Sequence, residues 1–224
     1  MTLLQPDFSL IKEGDSCKDQ FRVAYENRYT WPNSFSGYYG RVKFKSTTDS
    51  VEGSFNVDSK LKFQVDDINN EIIRNSISSQ LWEVTIHRVR RSFAEVHKDN
   101  TFTLGGLNEN GYEIIVGGKN QGDCYRIKNG YISMVYRNIH GKYVLIYTQD
   151  IIDTNSGYLS RKYTSEYKDP SSGVALSPKS HYEDKFTPLF KDRLWVLTKR
   201  TIQGQQENAK FSQSFEFTDL KKGK

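Results

Sequence analysis

The densest chemistry in the 224-residue chain is the run His87-Arg88-Val89-Arg90-Arg91, followed by Glu95 and His97. Arginine presents a rigid fork of donors suited to carboxylate or phosphate, so Arg88, Arg90 and Arg91 with His87 are candidates for holding an anion. The competing reading is a solvated basic helix end, favourable because cations there oppose the macrodipole. Glu83 and His87, spaced i and i+4, could share one helix side as ligands or as acid and base, and the plainer alternative is an ion pair. His97, His140 and His181 stand apart, with no HExxH or HxH spacing to join them, so neither a metal site nor a cofactor is expected. Cys124 lies in an alternating run without a GxSxG elbow near it, which suits a small buried thiol better than a nucleophile. Gly105-Gly106 and Gly117-Gly118-Lys119 precede no helix, so they read as hairpin turns and not as phosphate cradles.

Tyrosines recur at Tyr131, Tyr136, Tyr143, Tyr147, Tyr158, Tyr163 and Tyr167. Their rings pack while their hydroxyls seek partners, which suits a half-wet cavity as well as ordinary sheet, and Tyr136, Tyr147 and Tyr163 are the candidates to line one. Interleaved Arg126, Lys128, Arg137, Lys142, Arg161 and Lys162 would be needed for RNA stacking. However, three of the +5 formal charges sit on Lys221, Lys222 and Lys224, leaving a body near +2, so nucleic acid is not an expected partner.

The elements that must position these groups are mostly strands. The composition, 14 Tyr and 13 Phe beside 5 Pro and 2 Met, is that of a sheet-rich chain with enough apolar residues for a real core. A first helix is predicted over 16–28, capped by Ser16, with Phe21, Ala24, Tyr25 and Arg28 as its buried stripe. Period-two alternation then places three strands, with Tyr39, Val42 and Phe44, then Val51, Phe55 and Val57, then Leu61, Phe63 and Val65 toward the core. Ile72, Ile73, Ile77, Leu81 and Val84 mark one long amphipathic helix ending near Val89. Beyond it the chain either extends that helix through Phe93 or forms a strand with Glu95 and His97 on one face. Turn pairs such as Asn110-Gly111, Asn129-Gly130, His140-Gly141 and Ser156-Gly157 then separate eight more antiparallel strands. The expected fold is mainly β (α+β). A curled antiparallel meander of about eleven strands forms a barrel or half-barrel, with the long helix and the short N-terminal helix as lid or plug. It forms one domain over 15–220, with flexible tails at 1–14 and 221–224.

Cys17 and Cys124 lack CxxC spacing, the start has no signal-peptide pattern and no apolar run could span a membrane. A reducing compartment and no integral membrane segment are expected, with peripheral membrane contact left open.

The segments FRVAYENRYTW (21–31), IHRVRRSF (86–93), NTFTLG (100–105), GYEIIVGGK through GDCYRI, RNIHGK (137–142) and GYLSRKY (157–163) together resemble a family of unknown function. Its members occur in cyanobacteria and plastid-bearing organisms. The resemblance spans 18–220 and implies a photosynthetic setting, in the cytoplasm or plastid stroma or at the edge of the thylakoid. More loosely, the order of elements is similar to lipoprotein-carrier half-barrels, and the calycin-like bilin lyases offer a second likeness. Fold likeness alone transfers no activity. The residues favour a non-catalytic binding protein for a lipid or a pigment, tetrapyrrole or carotenoid, with Arg88, Arg90 and Arg91 neutralising an acidic head group. The alternatives are an assembly factor for a photosynthetic complex and, third, an enzyme acting on a tetrapyrrole or lipid through His87, Glu95, His97 and Cys124.

Overall fold

A computed structural model describes residues 16–189, 194–206 and 209–223, and the N-terminal tail expected over 1–14 lies outside them. Ser16 accepts the Asp19 amide at 3.2 Å and starts α1 (Cys17–Glu26), which presents Phe21, Ala24 and Tyr25 on one buried side. β1 (Gly37–Lys45), β2 (Ser50–Asp58) and β3 (Phe63–Asp66) follow as alternating strands. Asn70 accepts the Ile73 amide at 3.2 Å and opens α2 (Glu71–Arg88), which ends at Val89 because that residue is extended. Ile73, Ile77, Leu81 and Val84 form its buried stripe, whereas Ile72, turned about 100° away from Ile73, is 82% exposed.

Neither expectation for the next segment holds. Ser92 accepts the Glu95 amide at 3.2 Å and caps a separate helix, α3 (Phe93–His97), of five residues. On that short turn Glu95 is exposed and His97 buried, so they share no face. The rest is strand: β4 (Asn100–Asn108), β5 (Gly111–Gly118), β6 (Cys124–Lys128), β7 (Tyr131–Ile139), β8 (Lys142–Asp153), β9 (Tyr158–Lys168), β10 (Ser180–Leu189), β11 (Leu194–Gln206) and β12 (Ala209–Lys222). The fold is mainly β, as expected, with twelve strands where eleven were counted, β4 being the addition.

The strand order is β3-β2-β1-β12-β11-β10-β9-β8-β7-β6-β5-β4. It is an antiparallel meander with one long-range join, β1 to β12, and it does not close: β3 and β4 are its two edges. β12 continues to Lys222, paired with Tyr38, so Lys221 and Lys222 belong to the ladder and not to a tail. On β1 the buried hydrophobic side chains are Tyr38, Val42 and Phe44, whereas Tyr39, expected toward the core, is 38% exposed. Alternation along β1 is unbroken, because the register irregularity opposite Tyr39 and Arg41 places its one additional residue on β12.

Two compact units divide the chain: unit 1 comprises 1–29 and 91–179, unit 2 comprises 30–90 and 180–224. Unit 1 thus holds α1, α3 and β4 to β9; unit 2 holds α2, β1 to β3 and β10 to β12. No helix among the described residues is long and apolar enough to cross a membrane.

Candidate functional site

In unit 1 the stripe of α1 packs on Ile114, Val116, Tyr125, Ile127 and Ile132 of the sheet, with Phe93 from α3. An aromatic box results. The Phe21 ring lies 4.5 Å from Tyr125, 5.2 Å from His97 and 5.4 Å from both Phe93 and Phe102. His97, 5% exposed, sits inside this box with Nδ1 3.0 Å from the Asn100 side-chain amide, and Asn100 in turn accepts the Asn120 amide at 3.0 Å. The amide donates, so Nδ1 accepts and the ring is neutral. Burial pushes its pKa down to about 4, and the charges of Arg137 and Arg28 add to the shift.

Those two arginines stand beside the box. α1 leaves its last turn by docking on the start of β9: Tyr158 donates to the Asn27 carbonyl at 2.8 Å and Tyr29 to the Tyr158 carbonyl at 2.9 Å. The approach is close enough that a Cβ on Gly157 would meet the Asn27 oxygen at 2.6 Å, and Gly157 also has φ +124°, so glycine is required there. This fixes Arg28, whose Nε donates to the Tyr25 carbonyl at 2.8 Å and whose Cζ lies 3.8 Å above the centre of the Tyr25 ring. Arg137 projects from β7, its Nε donating to Asp123 Oδ2 at 3.0 Å; buried Asp123 also accepts the Asn138 amide at 3.1 Å. No carboxylate among the described residues pairs with Arg28, and the terminal nitrogens of Arg137 make no bond to them. Asp123 is therefore the one carboxylate among the described residues that is hydrogen-bonded to either guanidinium. The Tyr125 phenol feels both of them, although burial dominates and pushes its pKa up to about 12.

Cross-strand partners share a sheet face, so the registers extend this surface. Arg137 pairs with Val144 and Val144 with Tyr167; Val135 pairs with Ile146 and Ile146 with Ser165; Thr148 pairs with Tyr163. Because Val135 packs against the box, all of these lie on the face that carries α1. Val144 and Tyr163 are buried, Ile146 is half-buried and Tyr167 is exposed. Tyr136 and Tyr147 lie on the opposite face, where Tyr136 stacks on Tyr143 with centroids 4.6 Å apart. The three tyrosines singled out from sequence thus divide between faces, with Tyr163 alone on the face that carries α1.

The basic run is also divided. His87 and Arg88 end α2, whereas Arg90 and Arg91 lie past it, exposed, one in each unit. Arg88 is drawn inward: its Cζ is 5.4 Å from the Phe186 ring centre, and its charge reaches Asp184 and Tyr38. Beneath α2, Arg200 (3% exposed) donates to Asp184 (1% exposed) through Nε at 2.8 Å and Nη2 at 2.7 Å. Its Nη1 reaches Gln80 at 2.9 Å and Glu83 at 3.1 Å. These carboxylates and the side-chain amide accept from Arg200 on both edges, a closed network that pins α2 to β10 and β11.

The reactive candidates are disarmed. Burial and the adjacent Glu113 push the Cys124 thiol up to about 12, so it stays protonated near neutrality. No group of three or more His, Cys, Asp or Glu side chains suited to a metal occurs among the described residues. The sequence pattern places Arg28 in a buried stripe and Arg137 among interleaved basic residues, and it does not single out Arg200. The available signal was their parity: Arg137 alternates with Val135, and Arg200 with Ile202, both on inward registers.

Residues 12–222 match a family model described as protein of unknown function, DUF3386. No curated protein matches the chain.

Proposed function

Because the chain belongs to the DUF3386 family, whose description assigns no activity, we propose its role from its own residues: it is a non-catalytic binding protein for a small apolar or amphipathic ligand. The observation that carries this reading is the face of β7 to β9 running on from the aromatic box. There Ile146 and Tyr167 remain accessible beside buried Val144 and Tyr163, next to polar groups at one end. Such a mixture of apolar surface and few polar anchors is the usual make-up of small-molecule sites. The state of the reactive groups supports it: His97 is neutral and enclosed and Cys124 is protonated, so neither is poised for acid-base or nucleophilic work.

The ligand class is a lipid or a pigment, tetrapyrrole or carotenoid, of a photosynthetic organism, with the protein in the cytoplasm or plastid stroma. This setting draws on the resemblance of its segments. Purification from a phototrophic host, followed by absorption spectroscopy and mass spectrometry of the organic extract, tests it. A stoichiometric lipid or pigment is expected, and a colourless, lipid-free protein overturns the reading. The second reading, an interaction factor for a photosynthetic complex, is favoured by Leu104, Leu107 and Tyr112, which are 53%, 65% and 48% exposed on β4 and β5. Co-purification of a photosystem or antenna subunit with an empty extract would select it.

A further inference from the structure

We propose that Arg28 and Arg137, with the hydroxyls of Tyr25 and Tyr125, form a clamp for the acidic end, carboxylate or phosphate, of an amphiphile whose chain lies along β7 to β9. The proposal rests on the binding reading above and names the polar chemistry of the same surface. It moves the head-group role from Arg88, Arg90 and Arg91 to Arg28 and Arg137.

Three observations carry it. The first is charge: Arg28 and Arg137 are both half-buried, and Asp123 is the carboxylate hydrogen-bonded there, to Arg137 Nε. An excess positive charge in a partly dehydrated place is costly unless an anion joins it. The second is geometry. Arg28 spends Nε on the Tyr25 carbonyl and its face on the Tyr25 ring; Arg137 spends Nε on Asp123. The terminal N–H donors of both guanidinium groups hydrogen-bond to no described residue, and those are the donors that grip a planar or tetrahedral oxyanion. The third is the pair of phenols. Tyr25 and Tyr125 are 9% and 5% exposed, and their hydroxyls hydrogen-bond to no described residue yet are not enclosed, so both remain within reach of an incoming oxyanion. The four groups are neighbours in the electrostatic sense: Arg137 responds to Tyr125 and Tyr25, and Tyr125 to Arg137, Tyr25 and Arg28. The register then runs from Arg137 through Val144 to Tyr167, which places apolar surface next to the charged end. An acid with a hydrocarbon chain satisfies both halves at once.

The test uses the full chain and four probes: dodecanoate, dodecyl phosphate, dodecanol and inorganic phosphate, titrated calorimetrically. At least one of the two acids is expected to bind tenfold or more tightly than dodecanol, and which acid is tighter identifies the head group. The double variant Arg28→Met and Arg137→Met is expected to erase that preference while leaving dodecanol affinity unchanged. Equal binding of acids and alcohol to the wild type overturns the clamp but leaves the binding reading intact. Failure of all three chain-bearing probes overturns the reading itself. Inorganic phosphate binding as tightly as dodecyl phosphate overturns the amphiphile part.

Arg137→Met leaves Asp123 without its cation and can unfold unit 1. Arg28→Met, which gives up one bond to a backbone carbonyl and its stacking on Tyr25, therefore serves as the second variant, with His97 as reporter. In the wild type the imidazole titration midpoint should rise when an acid binds, because the anion offsets the two charges that help hold it down; dodecanol should leave it in place. An acid that binds without moving His97 argues against the clamp.

Discussion

Replacing Arg200 by Met removes every charge-assisted bond to Asp184 while keeping an unbranched apolar side chain in the space. Asp184, 1% exposed, then holds a carboxylate facing Tyr182, Phe186 and the underside of α2 with no cation bonded to it. Removing one partner of a buried ion pair costs about 3–5 kcal/mol. The same size follows independently. The carboxyl can escape by taking a proton, and doing so at pH 7 from an ordinary pKa of 3.8 spans about 3 units, or about 4 kcal/mol at 1.36 kcal/mol per unit. Because the second route consumes a proton, the penalty should shrink toward zero as pH falls to 4: the folded variant binds a proton that the unfolded chain does not, so stability rises with acidity over that window. Adding Asp184→Leu should recover most of the loss at pH 7, since an apolar pair replaces the ionic one. All three tryptophans, Trp31, Trp82 and Trp195, lie in unit 2, so urea unfolding followed by tryptophan fluorescence reads this unit without contribution from the other. A penalty under about 1 kcal/mol at pH 7, or one that stays constant between pH 7 and 4, refutes the argument that the pair is dry and mutually dependent.

Other expectations follow from the same kind of reasoning. His97 is neutral in the fold with a pKa of about 4 against an ordinary 6.5, so the unfolded chain takes the proton first; stability should be intact above pH 6.5 and fall by about 2–3 kcal/mol on descent to pH 4. Tyrosine near-ultraviolet dichroism during denaturation at several pH values measures this, and an unchanged slope in His97→Gln would assign the effect elsewhere. Cys124, held protonated, should react with iodoacetamide at pH 8 at least tenfold more slowly in the native protein than in urea, read by peptide mass spectrometry; equal rates would contradict the environment assigned to it. Asn70→Ala removes the cap on Ile73 and should destabilise unit 2 by about 1 kcal/mol in the fluorescence assay; a loss near zero would mean that water replaces the side chain at no cost.

Much of the architecture could be read directly from local pattern. Ser16 and Asn70 announce α1 and α2 because their side chains bind amides three residues on, and the buried stripes follow the helical period. Asn129-Gly130 and His140-Gly141 both adopt positive φ at each residue, the geometry that two-residue hairpin turns need, so the meander was visible. What pattern could not supply was partnership. Alternation places Arg137 and Arg200 on a given parity but not opposite Asp123 and Asp184, because those meetings depend on where each hairpin turns and on register irregularities at Arg126/Ile127 and Lys185/Phe186. The basic run was legible as a string of charges; that extended Val89 would stop α2, and Ser92 start a new helix, separated Arg88 from Arg90 and Arg91 and enclosed His97. The tyrosines Tyr136, Tyr147 and Tyr163 looked equivalent because their faces are set by the pairing of β7, β8 and β9, which sequence spacing does not record.

The join between β1 and β12, where Phe44 meets Phe215, has a consequence for the order in which the protein can be made. As a ribosome extrudes the chain, every strand from β5 to β9 finds its preceding neighbour already present, and unit 1 can close once Lys168 has emerged. Unit 2 cannot: β1, synthesised early, must wait through the whole of unit 1 for β12, and pay the entropy of closing that long loop when it arrives. During the wait the inner side of β1, with Tyr38, Val42 and Phe44, and the rim that β12 will fill are open to any passing strand. A chain interrupted before Ala209 would carry a finished unit 1 and an adhesive, incomplete unit 2, and would be expected in the insoluble fraction of a cell.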